Sequence, residues 1–157
     1  MAKISIVQNP DHSLTTSNGY DFSVNDVKPA HLMEAAVSLY EQTGSSVATT
    51  TQEFCDDFEG WLEETDGLPL GIFNSEGDFC GGVIFVDVSS VHHGFGVGVH
   101  VVILEECQSP ELNKALCSVL RYLLNDVNTG CNFFVRYKHV SPKVVNEIYS
   151  FKKRKES

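Results

Sequence analysis

Residues 95–137 carry the pattern that most limits how this 157-residue chain can fold. Phe95, Val97, Val99 and Val101 alternate with Gly96, Gly98 and His100, the period-two signature of a strand over residues 95–104. Leu112, Ala115, Leu116, Val119, Leu120, Leu123, Leu124 and Val127 then recur at helical spacing. Ser109-Pro110-Glu111 opens that helix with an N-cap, a first-turn proline and an acid at the positive end of the dipole. Residues 128–130 close it, and residues 131–137 (CNFFVRY) read as another strand. A helix that joins two strands of one sheet carries the chain back across it, so these two strands are expected to lie parallel.

Upstream, the sequence predicts a short strand at residues 4–7, a turn-rich stretch through Asn18-Gly19, and an extended piece at residues 20–24. A first helix starts around residues 26–29, where Pro29 suits the first turn, repeats Leu32, Met33, Ala36, Val37 and Tyr40, and stops at Gly44. A second helix opens at Thr50 with Glu53 three residues on, a capping-box pattern. It sets Phe54, Phe58, Trp61 and Leu62 on one face and ends near Asp66-Gly67. Strands at residues 68–73 and 79–88, joined by the turn of residues 74–78, continue through a His92-His93-Gly94 turn into residues 95–104. These three form an antiparallel meander. Ser141-Pro142 is read as the start of a fourth helix carrying Val144, Val145, Ile148 and Phe151. Residues 1–157 thus form a single domain of mixed α/β (α+β) class, with an irregular segment at 1–20 and a basic tail at 152–157.

The formal charge of −10 is unevenly placed. Residues 1–113 hold 18 acidic side chains against Lys3 and Lys28, and residues 114–157 hold nine basic ones against three acidic ones. Most of the surface would repel a phosphate backbone, which excludes general nucleic-acid binding. The basic end suits a solvated terminus, a local anion site or an acidic partner. No stretch approaches the roughly 20 apolar residues of a membrane span, and the first residues lack a secretory layout. The chain is expected in the cytoplasm. Five cysteines without CxxC or ligand spacing read as reduced thiols, and His92-His93 has no third ligand, so no metal is expected.

The order strand, two helices, three antiparallel strands, long helix, strand, helix resembles the GNAT family of acyl-CoA-dependent N-acyltransferases, over about residues 20–151. The resemblance implies a mixed, mainly antiparallel central sheet flanked by about four helices. In that family the strand before the long helix runs into V-x-P-x-(R/Q)-x-x-G-x-(G/A)-x-A-L. Here the matching residues are 104–116, with Gln108 at the Arg/Gln position and Lys114-Ala115-Leu116 leading on, while Glu111 and Asn113 replace the small residues. The resemblance implies acetyl-CoA as cofactor, held around Val102, Leu104, Gln108, Ser109, Glu111, Leu112, Asn113 and Lys114. A Gly-rich loop binds diphosphate through bare backbone N–H groups. Glu111 instead brings a negative charge, which at about 5 Å and an effective dielectric near 20 costs roughly 3 kcal/mol, about a hundredfold in affinity. The same residues equally describe a helix that caps itself and supplies its own anion.

N-acyl transfer needs a base for the amine proton and an acid for the departing thiolate. The family places a tyrosine on its fourth helix as the acid, and Ile148-Tyr149-Ser150-Phe151-Lys152 matches that placement, so Tyr149 is the candidate. It also reads as an amphipathic packing residue. Glu105, Glu106 and His100 are the candidate bases, with Glu105 and Glu106 pointing oppositely so that only one could face a cleft. The family's final pair of strands is missing from the sequence, so a protein partner or a homo-oligomer would have to complete that wall. Two functions therefore stand side by side. One is acetyl-CoA-dependent N-acetyl transfer. The other is a non-catalytic GNAT-like structural or interaction module of the kind found among bacteriophage proteins, which would place it in a virion.

Overall fold

In a computed structural model, residues 3–127, 130–141 and 143–152 are described, the side chains of 138–141 excepted. The elements run β1 (Ile6–Gln8), β2 (Leu14–Thr16), β3 (Asp21–Ser23), α1 (Pro29–Thr43), α2 (Thr51–Thr65), β4 (Leu68–Phe73), β5 (Phe79–Ser90) and β6 (Gly94–Ile103). A single 3-10 turn (Glu105–Cys107) follows, then α3 (Pro110–Asn125), β7 (Phe133–Ser141) and β8 (Val144–Phe151). The strands form one sheet in chain order from β1 to β8. Every neighbouring pair is antiparallel except β6–β7, which is parallel. The crossover through α3 imposes that exception.

The sheet is packed on both faces. Leu112, Ala115, Leu116 and Val119 of α3 are fully buried against Phe22, Ile72, Val83 and Val99, each large side chain stabilising the fold by roughly 1.5–3 kcal/mol. On the other face α1 and α2 bury Ala36, Cys55 and Phe58 against Ile84. The expected start of α2 is observed, with the Thr50 hydroxyl accepting from the Glu53 N–H at 3.1 Å. Glu53 Oε2 in turn accepts from the Thr49 N–H at 3.1 Å. Ser109 Oγ caps α3 by accepting from the Leu112 N–H at 3.1 Å.

Two strands differ from the sequence reading. Strand β2 lies inside the segment expected to be irregular. Its three residues alternate buried, half-buried, buried, which is too short a run to stand out among turn residues. The expected fourth helix is strand β8, an antiparallel hairpin partner of β7 from Phe133–Phe151 through Ser141–Val144. Val144, Val145, Ile148, Tyr149 and Phe151 are β-branched or aromatic, a composition that favours a pleated edge over a helix. Pro142, part of the expected helix start, lies outside the described residues, as does 153–157 of the expected basic tail. No further strand follows β8 among the described residues, and all eight of its residues are exposed.

Gly96 and Gly98 of β6 make room for rings. A Cβ at Gly96 would lie 2.4 Å from the Phe133 ring, and one at Gly98 would lie 3.3 Å from Tyr137 and 2.9 Å from Val86. No described helix is long and apolar enough to cross a membrane.

Candidate functional site

Strands β6 and β7 pair at Val97–Phe134, Gly98–Val135 and Val99–Arg136, and no further among the described residues. Beyond that point they part. Between Val101–Ile103 on one side and Arg136–Tyr137 on the other lies a cavity of about 640 Å³, closed at one end by Gln108, Ser109, Pro110 and Asn113 and flanked by Leu39, Gln42 and Thr43 of α1. The expected gap is therefore present on the Leu104 side of β6. On β7 it opens beyond Arg136, since Phe134 and Val135 are also still paired.

Of the residues singled out for a cofactor, Val102, Gln108, Ser109 and Asn113 line this cavity. Leu104 and Leu112 are buried in the core at 3% and 0% exposure. Glu111 is exposed at the start of α3, and its carbonyl accepts from Asn18 Nδ2 at 2.9 Å. Lys114 lies on the outer flank of α3, beside a separate groove with Ile6 and Tyr122. Glu105 and Glu106 are exposed in the 3-10 turn, outside the residues that line the cavity.

Gln42, which no sequence pattern marks, reaches in from α1. Its Nε2 donates to the Ile103 carbonyl at 2.9 Å and to Ser38 Oγ at 2.8 Å. Gln108 Nε2 donates to Gln42 Oε1 at 2.6 Å. A narrow polar arm that paired with the open edge of β6 would take over the Ile103 carbonyl from this amide. Arg136 is the one cation among the lining residues and is half-buried. These features fit the pantetheine arm of CoA. The diphosphate end fits less fully, because Pro110 has no N–H, the Leu112 N–H is already taken by Ser109 Oγ and Glu111 stands nearby.

A second cavity of about 310 Å³ shares Leu39, Val101, Val102 and Tyr137 with the first and is walled by Phe54, Phe58 and Trp61 of α2, with Asp57 and His100. His100 stacks on Tyr137, ring centroids 4.5 Å apart at 20°, and meets Trp61 edge-on at 4.8 Å. Tyr137 stands where the two cavities join. Burial, and then the Glu147 carboxylate opposite it on β8, holds its phenol above the usual tyrosine range. It therefore remains a proton donor at neutral pH.

Tyr149 occupies a different place. It is 45% exposed on β8 and packs beside Phe133, Phe151 and His93, outside both sets of lining residues. Its phenol donates to Glu147 Oε2 at 3.2 Å, a bond that raises its pKa. Tyr137 is the last residue of CNFFVRY, and the alternation of that strand, carried one step further than its hydrophobic run, would have pointed to it. Behind the 3-10 turn the buried Cys80 thiol is pushed up to about 12 by burial and then by the neighbouring Cys107 thiol. None of the five cysteines is joined in a disulfide.

No family model matches the sequence, and no curated protein matches it either. Solved structures do. Spermidine N-acetyltransferase from Vibrio cholerae in complex with CoA and spermine is 9% identical, with 77% of this chain and 72% of that chain covered at a TM-score of 0.53. The dodecameric enzyme from the same organism in an intermediate state is 8% identical over 79% and 72%, at 0.56. The spermidine/spermine enzyme in complex with manganese ions is 9% identical over 78% and 69%, at 0.52. At this identity the likeness is one of fold, and the chain has the GNAT fold: a mixed, mainly antiparallel sheet with helices on both faces, opened between one parallel pair of strands.

Proposed function

We propose that the chain binds a CoA thioester in the opening between β6 and β7 and transfers its acyl group, acetyl in the simplest case, to an amine. The observation that carries this reading is the parting of the two strands after Val99 and Arg136, beside the N-terminus of α3. Bound there, acetyl-CoA would supply a thioester whose C–S bond is exchanged for the C–N bond of an amide, releasing a free thiol. The chain's part is to place the partners and handle protons. His100 takes up the proton that the amine nitrogen gives up, and the Tyr137 hydroxyl returns one to the leaving sulfur. Net, an ammonium group and the thioester become amide, thiol and one proton released to water. Arg136, Gln108, Ser109 and Asn113 would hold the polar part of the cofactor. Calorimetric titration with acetyl-CoA and CoA tests the reading. Saturable binding of both is expected, and no binding at millimolar ligand overturns it.

A second reading is a GNAT-fold module without catalysis, serving as a structural or interaction component, for example in a virion. The exposed apolar edge of β8 favours it: Val144, Val145 and Phe151 are 44–51% exposed, while Ile148 faces the larger cavity, and an open edge invites a further strand. On this reading a protein partner or a second copy pairs with β8. Light scattering of the wild type and of Val145→Lys tests it, since Val145 lines neither cavity. A self-associated wild type made monomeric by the substitution supports this reading, and a monomeric wild type that turns over an amine removes it.

A further inference from the structure

We infer that the acceptor of this site is a compact amine with an aromatic or aliphatic body, a monoamine and not a polyamine. The inference rests on the transferase reading and adds the substrate class. The acceptor cavity, about 310 Å³, is bounded by the rings of Phe54, Phe58, Trp61 and Tyr137, with His100 between the last two. Phe58 and Trp61 lie 6.1 Å apart and tilted by 38°, so together with His100 they form a bent aromatic wall. Such a wall attracts an alkyl or aryl body through burial and an ammonium group through its ring faces. Asp57 is the one charged side chain among the lining residues, and no Lys or Arg lines the cavity. The single carboxylate, exposed at the mouth, draws in a single ammonium, which then moves inward to His100 as the nucleophile. A second or third ammonium held inside the cavity would be desolvated against rings with no further carboxylate among the lining residues, which is costly. The spacing of Phe54, Asp57, Phe58 and Trp61 at one, four, five and eight in a single helical run is what brings the acid and the rings to one mouth.

Trp61 is the only tryptophan in the chain, so its emission reports on this cavity with or without a thioester present. The test titrates phenethylamine, spermidine and phenylacetate against the full chain at moderate salt, which screens the rest of the acidic α2 surface. Phenethylamine is expected to change the emission saturably and to bind at least about tenfold tighter than spermidine, with phenylacetate silent. Asp57→Asn, on an exposed position that leaves the fold intact, should weaken phenethylamine about fivefold and leave CoA affinity unchanged. A flat response to phenethylamine, tighter binding of spermidine, or an unaltered affinity in Asp57→Asn overturns the inference. The two failures separate. Saturable amine binding without CoA binding would sink the transferase reading alone, whereas CoA binding with spermidine preferred would sink only the substrate class.

Discussion

Replacing Gly96 with alanine tests the frame on which both cavities are hung. A Cβ at this position would stand 2.4, 2.5 and 2.6 Å from three atoms of the Phe133 ring, where ordinary carbon contacts lie near 3.5–4.0 Å. The ring would have to retreat by about 1 Å. It is 1% exposed and backed by His93, Tyr149 and Phe151 at centroid distances of 5.9, 5.8 and 6.2 Å, so its retreat disturbs the β7–β8 hairpin as well. Overpacking of this kind costs about 1–3 kcal/mol. The gain from restricting the unfolded chain returns roughly 0.4–1 kcal/mol. A net loss of about 1.3 kcal/mol lowers the melting temperature of a domain this size by about 3–5 °C. Thermal and urea unfolding of Gly96→Ala, Phe133→Leu and the double variant close a cycle in which the smaller side chain relieves the clash. A favourable coupling of at least about 1 kcal/mol is expected. A Gly96→Ala protein within about 0.5 kcal/mol of wild type, or strict additivity, refutes the placement of Phe133 against β6.

Tyr137→Phe should lower turnover about a hundredfold with CoA affinity retained, while Tyr149→Phe should leave turnover unchanged; steady-state kinetics of the two variants decide between them. Because the folded Tyr137 pKa lies above its ordinary value, the donor stays protonated to higher pH, and the alkaline limb of the wild-type rate profile should fall above about pH 10. Removing the charge with Glu111→Gln should tighten CoA less than tenfold, since the side chain is exposed and screened; a hundredfold gain in a calorimetric titration would mean that the carboxylate points into the cavity. The Cys80 thiol, held up at about 12, favours the folded state below the ordinary thiol range, and that stability is lost as pH rises from about 9 toward 12; a Cys80→Ala protein should show a flatter fall in urea midpoint over the same interval.

The strands and helices with unambiguous periods were legible from the residues alone. Leu68–Phe73 and the run of α3 from Pro110 have the bounds that the pattern implies, and the parallel pairing of β6 with β7 follows from the crossover. Strand β8 was not legible, because Val144, Val145 and Ile148 satisfy a helical spacing as well as an extended one, and only pairing with β7 decides between them. That single ambiguity relocated the candidate acid: a helix there would carry Tyr149, whereas the hairpin exposes Tyr149 and leaves Tyr137 at the junction of the cavities. The N-cap at Ser109 and the position of Gln108 were readable, since both are local. The role of Gln42 was not, because its partner Ile103 is 61 residues away and no local pattern marks such a contact. Asp57 is one of several acids in α2, and its place at the mouth of the aromatic cavity depends on how α2 packs over β5 and β6.

Mapping CoA onto the backbone amides by two-dimensional NMR tests the opening between β6 and β7 most directly. Saturable shifts are predicted at Val101, Val102, Ile103, Gln108, Ser109, Asn113 and Tyr137, with Ile6 and Tyr122 on the opposite flank of α3 unmoved. Shifts confined to that flank or to β8, or none at millimolar ligand, would contradict the account.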